Sequence, residues 1–142
     1  MSAGAPIREP IREPIRELAR LIRELQPRLH EGMFAFCALP SGEAVPANAI
    51  GSFRESEGLT VIVPLDDARS AGLVPAFEAA WITLDVHSAL EAVGLTAEVA
   101  RVLTDAGIPC NIVAALHHDH LFVPADRAAA ALRALRDLSG GA

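Results

Sequence analysis

The second half of the sequence changes its hydrophobic period in a fixed order, and this order constrains the fold more than any other feature. Residues 81–86 (WITLDV) alternate apolar and polar positions, as a β-strand does. Residues 95–106 then place their apolar side chains on one helical face. Gly107 offers a left-handed cap and Pro109 blocks continuation, so the end of this helix is predicted as well.

Two further strands and a helix follow. Residues 109–116 (PCNIVAAL) predict a buried strand, the polar residues 117–120 (HHDH) a tight turn, and residues 121–123 the return strand of a hairpin. Residues 125–138 predict a closing helix with leucines on one face. The order strand, helix, strand, strand, helix matches five of the six elements of a ferredoxin-like βαββαβ unit.

The first half is less regular. Residues 7–18 contain an IREP repeat in which prolines recur every four positions, so residues 1–14 are interpreted as an extension or linker. Pro14 fits the first position of a helix that runs to Leu25. Strands are predicted at 33–39 and 59–64.

Two stretches of the first half give weaker signals. Residues 48–58 fit either a short helix or an irregular strand, and residues 65–80 are interpreted as a connection without an element of its own. We therefore predict a first unit over 15–77 and a second over 78–142.

The second unit lacks the sixth element of its fold, a final strand. A strand of the first half could complete the sheet, because an unpaired sheet edge is otherwise left exposed. The expected fold class is thus α+β, with a ferredoxin-like second unit that shares strands with the first half. Exposed edges and small cores also favour a homodimer.

Composition and charge exclude several functions. The 142 residues carry a net charge of −6, contain no Tyr and only one Trp, and so lack the basic surface and aromatic platform that nucleic acids require. No apolar run is long enough for a membrane span and no signal peptide is recognised, so we expect a cytoplasmic protein. Cys37 and Cys110 lie in apolar runs without CxxC spacing and are expected to be buried free thiols.

Two segments carry a resemblance to a known family: VHSALEAVGLTAEVARVLTDAGIPCN and HHDHLFVP. Here the chain resembles small bacterial ACT-domain proteins of unknown function that contain two ACT-like units. The resemblance takes in PRLHEG and FRESEGLT and extends from about Leu18 to Leu138. One departure is Ala89, where the family leads us to expect a second Ser.

The resemblance implies a regulatory protein that binds an amino acid or a similar small metabolite, rather than an enzyme. The similar ACT superfamily includes regulatory units of aspartate kinases and eukaryotic arginine sensors, which bind ligands between paired units at the loop from the first strand to the first helix. A regulated enzyme or transporter would then be a separate protein. No cofactor is implied.

Physical chemistry also supports a ligand site at this loop, because a helix N-terminus offers unpaired N–H groups and positive potential to a carboxylate. Asn111 could touch ligand or brace this loop, since a polar side chain in a buried strand needs partners. The predicted ligand-binding residues are His87, Ser88, Leu90, Val93, Gly94, Leu95, Asn111, Ile112 and Val113, with His118 and His120 bordering the site.

The HHDH segment leaves an alternative open. Its imidazole and carboxylate groups suit a divalent metal, with His118 and His120 as ligands, although a polar turn explains them equally. A protein–protein assembly domain without ligand is the second alternative. Asp85, His87 and Ser88 include the residue types of a hydrolytic triad, but Ser88 would point away from the other two. Motifs such as GxSxG, HExxH and the Walker loop are absent from the sequence.

Overall fold

The computed structural model describes residues 17–86 and 93–140. In this part of the chain, seven strands form one antiparallel sheet, and four α-helices lie against one of its faces. The strands are β1 Pro27–Leu29, β2 Phe34–Leu39, β3 Gly51–Glu55, β4 Gly58–Pro64, β5 Phe77–Leu84, β6 Asn111–Ala114 and β7 Asp119–Pro124. The helices are α1 Leu18–Glu24, α2 Leu65–Ser70, α3 Leu95–Asp105 and α4 Ala128–Gly140, the last preceded by a 3-10 turn at Ala125–Arg127.

Strand β5 joins the two halves of the chain. The strand order is β3-β4-β2-β5-β7-β6, and β1 pairs with β5 beside β2. Residues 77–79 of β5 pair with β2, and residues 82–84 pair with β1. Strand β1 therefore occupies the position of the final strand that the second unit lacks, while β5 closes the sheet of the first unit. The prediction of two ferredoxin-like units that share strands is confirmed.

The core under the second unit is built from both halves. Ile82 of β5, Leu103 of α3 and Leu121 of β7 are fully buried there. Leu21 of α1 is equally buried in this cluster, although it belongs to the first unit in sequence. A smaller cluster lies between α2 and strands β2 and β4. The second unit is thus not a self-sufficient domain.

The helix predicted at 95–106 is confirmed as α3. Gly107 follows it with φ +72°, and the N–H of Ile108 donates to the carbonyl of Leu103. This is the left-handed helix ending that a glycine makes without steric cost.

Three sequence predictions are corrected. Residues 65–80 are not a bare connection, because they contain α2 and the first half of β5. Asp119 and His120 do not belong to a turn, since β7 begins at Asp119. The strand predicted at 109–116 is restricted to β6. The ambiguous stretch 48–58 contains strand β3, and the IREP repeat and Pro14 lie outside the described residues.

In the described ranges, no helix combines the length and apolar character that crossing a membrane would require.

Candidate functional site

The start of α3 is one candidate site. Gly94 precedes this helix with φ +103° and, as its N-cap residue, has no side chain that could cap the first turn. The backbone N–H groups of this turn therefore lack a capping acceptor from the helix's own N-cap residue. A Cβ atom at Gly94 would lie 3.0 Å from Cδ2 of Leu18, so α1 of the first half packs directly against the start of α3.

The predicted ligand-binding residues do not lie together in the structure. Leu95 is buried in the core, Val93 is exposed, and Ile112 packs on the helix-covered side of the sheet. Asn111 and Val113 lie on the opposite side, so a single chain does not bring them to the start of α3. Asn111 is exposed and needs no buried partner. His87, Ser88, Ala89 and Leu90 lie outside the described residues.

Asp119 is a functional candidate that the sequence analysis placed in a turn. It pairs with Leu84 on the helix-covered face, and Leu84 packs in the same cluster as Leu95. Only 5% of Asp119 is exposed, and no Arg among the described residues forms an ion pair with it. Burial raises the pKa of its carboxyl group, an effect that His118 opposes. The sequence signal that could have predicted this burial is the alternation of a strand, which places residues 119, 121 and 123 on the same face.

The HHDH segment does not gather metal ligands. Asp119 faces the helices, whereas His120 lies across the sheet beside Trp81 and Thr83. Within the described ranges, no group of three or more His, Cys, Asp or Glu side chains could hold a metal ion. The described residues therefore do not form the metal site that the sequence left as an alternative.

The helix-free face of the sheet carries a polar network among aromatic side chains. His30 Nε2 lies 2.7 Å from Thr83 Oγ1, which lies 3.0 Å from His120 Nδ1. The indole N–H of Trp81 donates to the same Nδ1 at 3.1 Å. At the margin of this network, Arg28 donates to Asp85 at 2.8 Å.

The network fixes the protonation of both imidazoles. Because the indole of Trp81 can only donate, Nδ1 of His120 accepts and the neutral ring carries its proton on Nε2. Thr83 must then donate to His120 and accept from Nε2–H of His30. Burial, followed by nearby positive groups including Arg28, lowers the pKa of both histidines. The two rings are therefore neutral at pH 7.

A cavity of about 300 Å³ lies on this same face. Phe36, Ile62 and Phe122 form its apolar floor, Phe53 and Val113 contribute from the two opposite edges of the sheet, and His120 lines it beside Trp81. None of the lining residues is Asp, Glu or Arg.

Neither cysteine adds reactive chemistry to these sites. Both thiols are free, Cys37 being buried and Cys110 half-buried. Burial raises the pKa of Cys110 to about 11 and also raises that of Cys37, so both are thiols rather than thiolates at neutral pH.

Comparison with known proteins identifies the relatives of this chain. Residues 13–80 and residues 76–137 each match a family described as ACT domain. A Vibrio cholerae protein of unknown function, named a possible transport protein, is 39% identical with a TM-score of 0.76, over 86% of this chain and 95% of that one.

Two more distant structures show likeness of fold alone. An Agrobacterium tumefaciens protein is 20% identical over 82% of this chain and 90% of its own, with a TM-score of 0.60. The regulatory subunit of aspartate kinase from Thermus flavus is 16% identical over 81% and 96%, with a TM-score of 0.55. No curated protein matches the chain by sequence.

Proposed function

Because this chain belongs to the ACT-domain family, we propose that it is a regulatory protein that binds an amino acid or a similar small metabolite. The observation that carries the proposal is Asp119, a carboxylate that is nearly buried on the helix-covered face, opposite Leu84 at the end of β5. Burying an unpaired charge costs free energy, which a cationic group of a ligand would offset.

The proposed site has two chemically opposite parts. The first turn of α3, whose N-cap residue is a glycine, receives the ligand carboxylate, since its N–H groups and the helix dipole favour an anion. Asp119 receives the ammonium group. The loop residues His87, Ser88 and Leu90 remain predicted contributors, as do Val93 and Gly94. This arrangement selects molecules that carry both charges, as free amino acids do.

Regulation would follow from the position of the site between the two halves. Leu18 of α1 packs against Gly94, so a ligand at the start of α3 changes a contact between first-half and second-half elements. A ligand shifts such an equilibrium only by its difference in affinity for the two states. We propose that a separate enzyme or transporter responds to that shift and that the protein acts as a homodimer in the cytoplasm.

Thermal unfolding with each of the twenty amino acids tests the proposal. One amino acid at about 100 times its dissociation constant should raise the free energy of unfolding by about 2.7 kcal/mol. The Asp119→Asn variant should lose this response, while Asp137→Asn, which changes an exposed carboxylate on α4, should keep it. The deaminated analogue of the active amino acid should not stabilise the protein.

Two results would contradict the proposal. A response to none of the amino acids would argue for an assembly domain without ligand. An unchanged response in Asp119→Asn would place the ammonium contact elsewhere.

A further inference from the structure

We propose that the cavity on the helix-free face is a second ligand site, distinct from the amino-acid site, and that it binds a neutral, largely aromatic molecule with one hydrogen-bond acceptor. The cavity lies on the opposite side of the sheet from α3 and Asp119. Its ligand would therefore not compete with a ligand at the start of α3.

Residues of a single chain line the cavity from both edges of the sheet. Phe53 on β3 and Val113 on β6 belong to the two outermost strands of the sheet, yet both line the same cavity. The sheet must therefore curve so that its edges flank the face between them. A flat face would need a partner to enclose a ligand, whereas here both walls and the floor come from the same molecule.

The size of the cavity limits its ligand. An apolar cavity of about 150 Å³ accommodates benzene. The present volume of about 300 Å³ therefore suits one substituted aromatic ring or two fused rings. The exposed fractions of Phe53 and Val113, 72% and 46%, leave these apolar walls available to a ligand.

The chemistry of the lining selects against charge. The lining contains no Asp, Glu or Arg that could pair with an ionic group. Desolvating an unpaired carboxylate or ammonium group is costly, so an amino acid is a poor ligand here. His120 uses Nδ1 to accept from Trp81, which leaves its Nε2–H as the donor for a carbonyl, nitro or ether oxygen of the ligand.

The fluorescence of Trp81, the only Trp of the chain, provides the readout because this residue lines the cavity. Nitrobenzene, a neutral aromatic molecule that quenches indoles on contact, is the probe. We expect quenching that saturates, as a single site requires, whereas acrylamide should quench in proportion to its concentration. 4-Nitrobenzoate, which adds a carboxylate to the same ring, should bind at least tenfold more weakly.

Two cavity-filling variants and one control locate the probe. Val113→Phe and Ala115→Phe enlarge exposed side chains in the lining and should each weaken nitrobenzene binding at least fivefold. Val74→Phe makes the same change as the first variant at a position that is 83% exposed and outside the lining, and should leave binding unchanged. Circular dichroism confirms that each variant is folded.

Three outcomes would overturn the proposal. One is quenching by nitrobenzene that never saturates. Another is saturable quenching that both cavity variants leave unaltered. The third is a change of oligomeric state in both cavity variants without saturable quenching in the parent protein, which would show that a second copy of the chain covers this face.

Discussion

The imidazole of His30 stacks on the indole of Trp81, with ring centroids 3.5 Å apart and planes inclined by only 8°. The contact joins the segment after β1 to the middle of β5. The N–H of His30 also donates to the carbonyl of Trp81 at 2.9 Å, and its side chain bonds to Thr83. One residue thereby fixes the first-half strand against the central strand of the second unit.

Replacement of His30 should weaken the contact between the segment after β1 and strand β5. His30→Ala removes a stacked ring and a side-chain hydrogen bond, so we expect the free energy of unfolding to fall by about 1–3 kcal/mol. Glu31→Ala changes an exposed neighbour and should alter it by less than about 0.5 kcal/mol. Urea unfolding followed by Trp81 fluorescence measures both. Equal effects of the two substitutions would show that the stack contributes nothing.

The neutral histidines predict a dependence of stability on pH. The pKa values of His30 and His120 are lower in the folded protein than their ordinary value near 6.5. The unfolded chain therefore binds protons first as the pH falls, so the free energy of unfolding should decrease below about pH 6.5. Asp119, whose pKa is raised, has the opposite effect on the free energy of unfolding, and this effect occurs at lower pH.

His120→Gln isolates this effect because glutamine can still accept from Trp81 but does not titrate. Between pH 7 and pH 5 its stability should fall less steeply than that of the parent protein, as measured by urea unfolding at each pH. A slope identical to that of the parent would contradict the lowered pKa of His120.

Two glycines with positive φ allow the packing of α1 on α3 to be tested. Gly94→Ala and Gly107→Ala both place an alanine in left-handed backbone, at a cost of about 1–2 kcal/mol. A new Cβ would contact Leu18 only at position 94, since nothing lies within 4 Å at position 107. We therefore expect Gly94→Ala to be the more destabilising of the two.

The additional destabilisation by Gly94→Ala should disappear when Leu18 is replaced by a shorter side chain. In a Leu18→Ala background, Gly94→Ala and Gly107→Ala should destabilise by similar amounts, which a double-mutant cycle by thermal unfolding measures. A persistent difference would mean that backbone strain alone distinguishes the two positions.

The buried carboxylate predicts a conflict between stability and binding. Because the pKa of Asp119 is raised, its carboxyl group loses its proton less readily in the folded protein than in the unfolded chain. The free energy of unfolding should therefore decrease as the pH rises above about 4 and this group becomes charged. Asp119→Asn should therefore increase the free energy of unfolding at pH 7 in the absence of ligand. Asp137→Asn should not, because Asp137 is exposed. Destabilisation in Asp119→Asn would show that the charge forms favourable contacts in the folded protein.

The elements with strong periodic signals were predictable, and those that depend on pairing were not. Helix α3 combines an apolar face with a glycine stop signal, so its bounds followed from the sequence. Helix α2 has only six residues, of which Leu65 and Ala68 are buried, and such a short helix shows no period. The contact between His30 and Trp81 joins residues far apart in sequence, and residue order alone does not reveal which strands are neighbours.

The shared core predicts that the two halves unfold together. Leu21 is fully buried under the second unit, so Leu21→Ala should lower the free energy of unfolding by about 2–5 kcal/mol. Leu116→Ala, at a position 66% exposed, should change it by less than about 0.5 kcal/mol. Circular dichroism and Trp81 fluorescence should report one coincident transition in each variant. If the halves were independent, Leu21→Ala would split the transition in two, because Leu21 fills the core under the second unit and its loss would then destabilise that core alone.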